Sequence, residues 1–243
     1  MRVIRAFVDR PLRTGERFAL PEDAATHLVR VLRLREGDPC VLFNGDGRDY
    51  AATLEGVGKR EVRVRIDAAS AVDNESPLRI TLLQGIARGE KMDWILQKAT
   101  ELGVAGFVPV SSERSEVRLD AERADKRVAH WRSVVRSACE QSGRAIVPQV
   151  SAPQSLAGAL ESLPAGARFL LDPFAEHAIG AIALQEGACV LAIGPEGGWS
   201  ARDRDQLIGA GFTGLRLGPR ILRTETAGLA AIAALQAGFG DFR

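Results

Sequence analysis

The stretch Gly194-Pro195-Glu196-Gly197-Gly198-Trp199-Ser200 follows directly on an apolar run, Cys189-Val190-Leu191-Ala192-Ile193. A short apolar run bounded by turn residues predicts a buried strand. Ser200, with Asp203 three residues later, has the pattern of a capping box, so a helix is expected to start there. The pattern recurs further on. The strand-like Leu215-Arg216-Leu217 leads into Gly218-Pro219-Arg220-Ile221-Leu222-Arg223-Thr224-Glu225-Thr226-Ala227, and Thr224 or Thr226 is expected to cap an Ala- and Leu-rich helix ending near Phe239. Glycine and proline at strand exits let backbone approach a ligand closely. In open α/β sheets, ligands sit at the carboxyl ends of the strands. Two such loops, both carrying Arg and Glu, point to a site.

Outward from these loops, the C-terminal two thirds of the chain alternates strand-like and helix-like segments. Arg79–Leu83, Phe107–Val110 and Arg168–Leu171 read as strands. Between the first two, Met92, Leu96, Ala99 and Leu102 share one helical face, and Gly103 is placed to end that helix. A second helix is expected after Asp120, with Val128, Trp131, Val135 and Ala138 on its apolar stripe. Such alternation implies a mostly parallel sheet covered on both faces. Residues 1–72 read differently, as an all-β module: Arg2–Val8, Cys40–Phe43, Tyr50–Leu54 and Val62–Ile66 are strand-like and separated by turn signals. One helix, Pro21–Arg33, interrupts them, with Leu28, Val31 and Leu32 expected on its apolar side. The polar segment 73–77, ended by a proline, is the expected linker, and 78–243 the second domain.

Composition narrows the classes. A chain of 243 residues, 46% hydrophobic, can bury a sizeable core. It contains no apolar run of bilayer-spanning length, and its N-terminal segment lacks the apolar centre of a signal peptide. No membrane association is therefore expected. Cys40, Cys139 and Cys189, like His27, His130 and His177, are too scattered for a disulfide framework or a metal site. No metal is expected, and a reducing, cytoplasmic compartment is the natural inference. The net charge of +1 conceals an uneven distribution: residues 145–200 hold one Arg against five acidic residues, leaving the basic side chains elsewhere.

The loops also limit the ligand. Neither a phosphate-loop lysine motif nor a dinucleotide fingerprint is present. What Leu171, Ile193, Gly194, Pro195, Gly197, Gly198, Leu217 and Leu222 offer is backbone with small and apolar side chains, a lining suited to an adenine. Gly197→Val is expected to block binding by putting a side chain where backbone must approach.

In their order and spacing, the two loop motifs resemble the RsmE family, the 16S ribosomal RNA uridine N3-methyltransferases of the SPOUT superfamily. His27–Asp38, Ala87–Val104, Ser111–Leu119 and Ala138–Arg144 carry the resemblance over nearly the whole chain, with Trp199 as a small departure. The resemblance implies a C-terminal SPOUT-type α/β domain, a parallel sheet with a trefoil knot, preceded by a PUA-like β-barrel that binds RNA. It implies S-adenosylmethionine as cofactor, held by the loops after Leu171, Ile193 and Leu217, with Gly218 and Thr226 added to the residues above. Arg223, Glu225 and Glu196 are then the candidate catalytic side chains: a cation to stabilise the deprotonated uracil ring, and carboxylates to take its proton. Arg223 has an alternative role, pairing with Glu225 to hold the loop. Arg10, Arg30, Arg33, Arg88, Lys91, Arg114 and Arg144 are candidate RNA contacts. The implied partner is 16S ribosomal RNA or the small ribosomal subunit, and the implied assembly a homodimer. Another SPOUT methyltransferase acting on ribose or transfer RNA, and a catalytically silent RNA-binding assembly protein, are the competing readings.

Overall fold

The computed structural model describes residues 4–58, 61–115, 121–184 and 187–242. The expectations that touch Arg2, Val3 and 116–120 lie partly outside them. The chain divides into two compact units, residues 1–75 with 136–147, and residues 76–135 with 148–243.

The first unit is built on five strands: β1 (Arg5–Phe7), β2 (Arg17–Ala19), β3 (Pro39–Phe43), β4 (Arg48–Val57) and β5 (Val62–Ala71), in the order β1-β3-β4-β5-β2. All neighbours are antiparallel except β1 and β3. Val62, Val64 and Ile66 are buried and Arg63 is exposed, as alternation predicts. Register shifts near Ala51 and Leu54 interrupt the β4–β5 ladder, the kind of irregularity that bends long strands around a core. That core gathers Leu28, Leu42, Leu54 and Val64. Residues 136–147 join the unit through hydrogen bonds. The Phe7 N–H donates to Glu140 Oε1 at 3.0 Å, and Arg5 Nη2 donates to the Arg144 carbonyl at 3.0 Å.

The helix expected over Pro21–Arg33 is corrected in kind. Only α1 (Glu22–Ala25) is α-helical; Thr26–Val31 forms a π turn, marked by the Leu32 N–H bonding the His27 carbonyl at 3.0 Å. The wider turn breaks the expected face: Leu28 is fully buried, whereas Val31 is 63% exposed. Strand β2, with Phe18 as its one buried side chain, is too short for alternation to announce it.

The second unit contains β6 (Arg79–Gly85), α2 (Glu90–Glu101), β7 (Val104–Ser111), α3 (Ala121–Ser142, whose residues up to 135 belong here), β8 (Gln149–Val150), β9 (Gln154–Ser155), α4 (Leu156–Glu161), β10 (Ala167–Leu171), β11 (His177–Ala178), β12 (Ala188–Ile193), α5 (Ala201–Gly209), β13 (Thr213–Arg216) and α6 (Thr224–Phe239). Its sheet runs β11-β13-β10-β12-β6-β7-β8, with β9 also on β7, and every pairing is parallel. Covered on both faces, β12 buries Cys189 through Ile193 without interruption. In α2, Met92, Leu96 and Ala99 are buried as the spacing predicts, as are Val128, Trp131, Val135 and Ala138 along α3.

One consequence of the order positions the site. Strand β10 lies between β12 and β13, so the chain leaving β12 crosses β10 before it pairs again. The carboxyl ends of β13, β10 and β12, at Arg216, Leu171 and Ile193, therefore stand side by side.

Candidate active site

Those three strand ends open on a cavity of about 520 Å³, within the range that holds a small-molecule cofactor. It is lined by Leu171, Ile193, Gly194, Pro195, Gly197, Gly198, Leu217 and Leu222, and also by Glu196, Arg223, Lys91 and Arg114. Gly218, Glu225 and Thr226 do not line it.

The loop after β12 is tied at nearly every residue. The Gly198 N–H donates to the Pro195 carbonyl at 2.8 Å, and Gly198 takes a φ of +66°, which favours glycine. The Gly194 carbonyl accepts from Thr224 Oγ1 at 2.6 Å, and the Gly197 carbonyl from Arg114 Nη1 at 3.1 Å. Ser200 and Asp203 form the expected capping box at the start of α5. Glu196 accepts from the Arg88 backbone N–H at 3.1 Å and from Lys91 Nζ at 3.2 Å. Burial would raise its carboxyl, but these donors and its own backbone amide outweigh that and hold it below the ordinary range. Such a carboxylate is a poor proton acceptor and a good anchor.

Close packing explains the glycines more sharply than ligand approach does. A Cβ on Gly85, at the end of β6, would lie 2.5 Å from Pro195 Cδ and 2.6 Å from Pro195 N. On Gly194 it would come within 3.1 Å of the Gly198 and Trp199 backbone. On Gly197 it would meet Arg114 Cβ at 3.1 Å, so the expected effect of Gly197→Val changes mechanism. The added side chain pushes against the Arg114 segment.

Thr224 is not a cap. The N-cap of α6 is Arg223, without a side-chain cap, and Thr224 is the first helical residue. Its hydroxyl donates to Gly194 and accepts from Gln84 Nε2 at 3.1 Å, joining β6, the loop after β12 and α6. Gln84 and Gly85 were not singled out from the sequence; the one signal was a glutamine closing an apolar strand. Trp199 is buried in an apolar cluster with Leu83, Leu170, Leu207 and Phe212, and its indole N–H has no acceptor among the described residues.

The loop after β13 contrasts with this. Arg220, Ile221 and Arg223 are exposed, and neither guanidinium group makes a hydrogen bond or ion pair with a described residue. The alternative of an Arg223–Glu225 pair is thus not realised, and Glu225 Oε2 is buried without a hydrogen-bond partner among the described residues. Also lining the cavity, Asp172 is ion-paired with Arg204. The buried thiols of Cys40, Cys139 and Cys189 are each pushed up to about 12, chiefly by desolvation, which removes them as nucleophiles.

The comparisons agree with this architecture. An RNA methyltransferase domain model matches residues 74–236, and an RNA methyltransferase PUA domain model residues 20–67. Ribosomal RNA small subunit methyltransferase E of Bacillus subtilis is 32% identical, covering 90% of this chain and 89% of its own length. The chain belongs to the small subunit methyltransferase E family. The family member of Neisseria gonorrhoeae, solved bound to S-adenosylmethionine, is 42% identical, with a TM-score of 0.92 and full coverage of both chains. A Legionella pneumophila methyltransferase solved with the same cofactor is 38% identical, with a TM-score of 0.96, covering 99% of this chain and all of its own. The fold expected from the resemblance, a parallel α/β unit with an antiparallel-rich PUA-like module, is thereby borne out.

Of the remaining candidates, Arg10, Arg30, Arg33 and Arg144 lie in the first unit and Arg88 in the second. Arg10 is ion-paired with Glu16 and stacks on Phe18 at 4.2 Å. Arg144 is buried and bonded to Glu75, which gives it a structural role there. Arg30 and Arg33 are exposed beside the π turn, without an ion pair to a described residue. Arg88 contributes its backbone to Glu196.

Proposed function

We propose that this chain transfers a methyl group from S-adenosylmethionine to N3 of a uridine in 16S ribosomal RNA of the small subunit. The observation that carries the reading is the cavity at three adjacent parallel strand ends, walled by backbone and aliphatic side chains and bearing two guanidinium groups, of Arg220 and Arg223, without a partner among the described residues. The fit to the cofactor is chemical. Leu171, Ile193, Leu217 and Leu222 supply apolar contact for an adenine, and the wall's carboxylates, Glu196 and Asp172, already have cationic partners. When bound, the cofactor supplies an electrophilic methyl on a sulfonium.

The chain's own residues do the rest. Arg223, held at the N-terminus of α6, lowers the energy of the negative charge that uracil acquires when N3 loses its proton. The proton leaves to water; Glu225, close after Arg223 on α6 but off the cavity wall, is the carboxylate nearest in sequence to receive it once the loop rearranges around substrate. Glu196 positions the loop. N3 lies on the Watson–Crick edge, so the uridine enters unpaired. Arg30 and Arg33 of the first unit, with Lys91 and Arg114 of the second, contact RNA phosphates in this reading. The domain boundaries 1–72, 73–77 and 78–243, the trefoil knot and the cytoplasmic location belong to the same proposal. So does a homodimer: α6 leaves Ala234 and Ala237 exposed on its unpacked side. Among the described residues, no helix is long and apolar enough to cross a membrane.

The test is mass spectrometry of nucleosides from small subunits of a strain lacking the gene, treated with enzyme and cofactor. N3-methyluridine is expected. Methyl groups found only on ribose would overturn the assignment.

A further inference from the structure

Among the described residues, the two most exposed large apolar side chains are Phe174, at 79%, and Ile221, at 77%, and both lie on the wall of the same cavity. They come from different loops, those after β10 and β13. An exposed phenylalanine by itself needs no explanation. Two extreme exposures meeting at one cavity mark a surface that is covered when the site is in use. The ring is not on a loose tether. Pro173 precedes it, the Phe174 N–H donates to Asp172 Oδ1 at 3.0 Å, and the Asp172 N–H donates to the Leu215 carbonyl at 2.9 Å. Asp172 is in turn paired with Arg204.

What covers this pair is indicated by its neighbours. Ile221 directly follows Arg220 and stands two residues before Arg223, and both guanidinium groups are exposed at the cavity without a partner among the described residues. A second copy of the chain would bring its own arginines against these, whereas a nucleotide brings a planar ring and a phosphate. We infer that Phe174 and Ile221 clamp the target base, Phe174 stacking on one face of the uracil while Ile221 closes the other and Arg220 meets the adjoining phosphate. This inference rests on the RNA methyltransferase reading above. It assigns Phe174 a positioning role, holding the ring so that N3 faces the cofactor. Stacking suits an unpaired pyrimidine, since every base has a π-face whatever its edge.

The experiment is steady-state methylation of small subunits by wild type, Phe174→Ala, Phe174→Leu and Phe174→Tyr, with cofactor affinity by calorimetry and mass by sedimentation. Phe174→Ala is expected to lower kcat/KM for RNA roughly 10- to 100-fold. Phe174→Tyr should restore it and Phe174→Leu should not, because aromaticity rather than bulk is required. Cofactor affinity, melting temperature and oligomeric state should stay at the wild-type values. A matching loss of cofactor affinity would instead make Phe174 a cover for the cofactor, and a change in mass would make it a contact between copies; either result overturns the clamp, as does rescue by leucine. If wild type itself forms no N3-methyluridine, the reading beneath the inference has failed and the clamp goes with it.

Discussion

The loops after β12 and β13 border the same cavity and are built in opposite ways. In the first, the Gly194, Pro195 and Gly197 carbonyls and the Glu196 carboxylate each have a donor, and the three glycines are packed against backbone or Arg114 or held at positive φ. In the second, the side chains of Arg220, Ile221 and Arg223 reach the surface, and neither guanidinium has a partner among the described residues. The difference separates two tasks. A binding cradle must be rigid to recognise a cofactor, because each group left mobile must be ordered on binding. Groups that stabilise charge in a transition state must be free of competing partners until substrate arrives.

Breaking the rigid loop should produce the largest effect. Gly85→Val places carbon well inside van der Waals contact distance of the Pro195 backbone, which cannot yield as a side-chain tip would. Cofactor affinity is expected to fall by about two orders of magnitude or more, at a stability cost of about 1–3 kcal/mol. Calorimetry and thermal denaturation measure the two, and undiminished affinity would show that the loop is not the cradle.

Next comes the free loop. Arg223→Ala should lower kcat by about 100- to 1000-fold, the range for removing one charge-stabilising donor. Cofactor affinity should hardly move. A loss confined to cofactor binding would place Arg223 in the cradle and erase the contrast.

Thr224 belongs to both loops, so Thr224→Val should give an intermediate result. It removes the donor to Gly194 and the acceptor for Gln84, costing about 1–3 kcal/mol. Thr224→Ser should recover most of that, and denaturant unfolding is the readout.

Lys91→Met gives the smallest change. The pair with Glu196 is partly exposed, so about 1 kcal/mol or less is at stake. The direction with pH is specific. A carboxyl lowered in the folded state contributes stability above its ordinary value, 4.5, that is lost as pH falls through the lower folded value. The gap between wild type and Lys91→Met should therefore close on acidification below that range; a gap that widens would mean that Lys91 acts through packing.

The same contrast explains what the sequence made legible. Strand runs such as Cys189–Ile193 are read directly, because burial on both faces leaves an unbroken apolar string. Eight of the residues expected to line the cofactor cavity do so, because glycine and proline after a strand announce a loop. Orientation and partner choice were hidden. Nothing in Thr224 distinguishes a cap from a cross-link between loops, since either role needs only a hydroxyl. The direction of the missing Cβ at Gly197 depends on where the chain near Arg114 passes. The π turn over Thr26–Val31 escaped because its pattern is that of an α-helix until the period slips near Val31.

Gln236 bears on how the chain assembles. It is completely buried near the end of α6, accepting from Ser76 Oγ at 2.6 Å and donating to the Leu102 carbonyl at 2.9 Å. Ser76 opens the second unit and Gln236 nearly closes it, 160 residues later. Strand β6 pairs with β7 soon after it in the chain, but on its other side it waits for β12. The loop entropy of such distant contacts must be overcome before they return any stability, which makes parallel topologies slow to fold. During synthesis, β6 therefore emerges long before its second neighbour exists. A ribosome stalled just short of Gln236 would hold a chain that lacks the buried amide tying Ser76 and the end of α2 to α6.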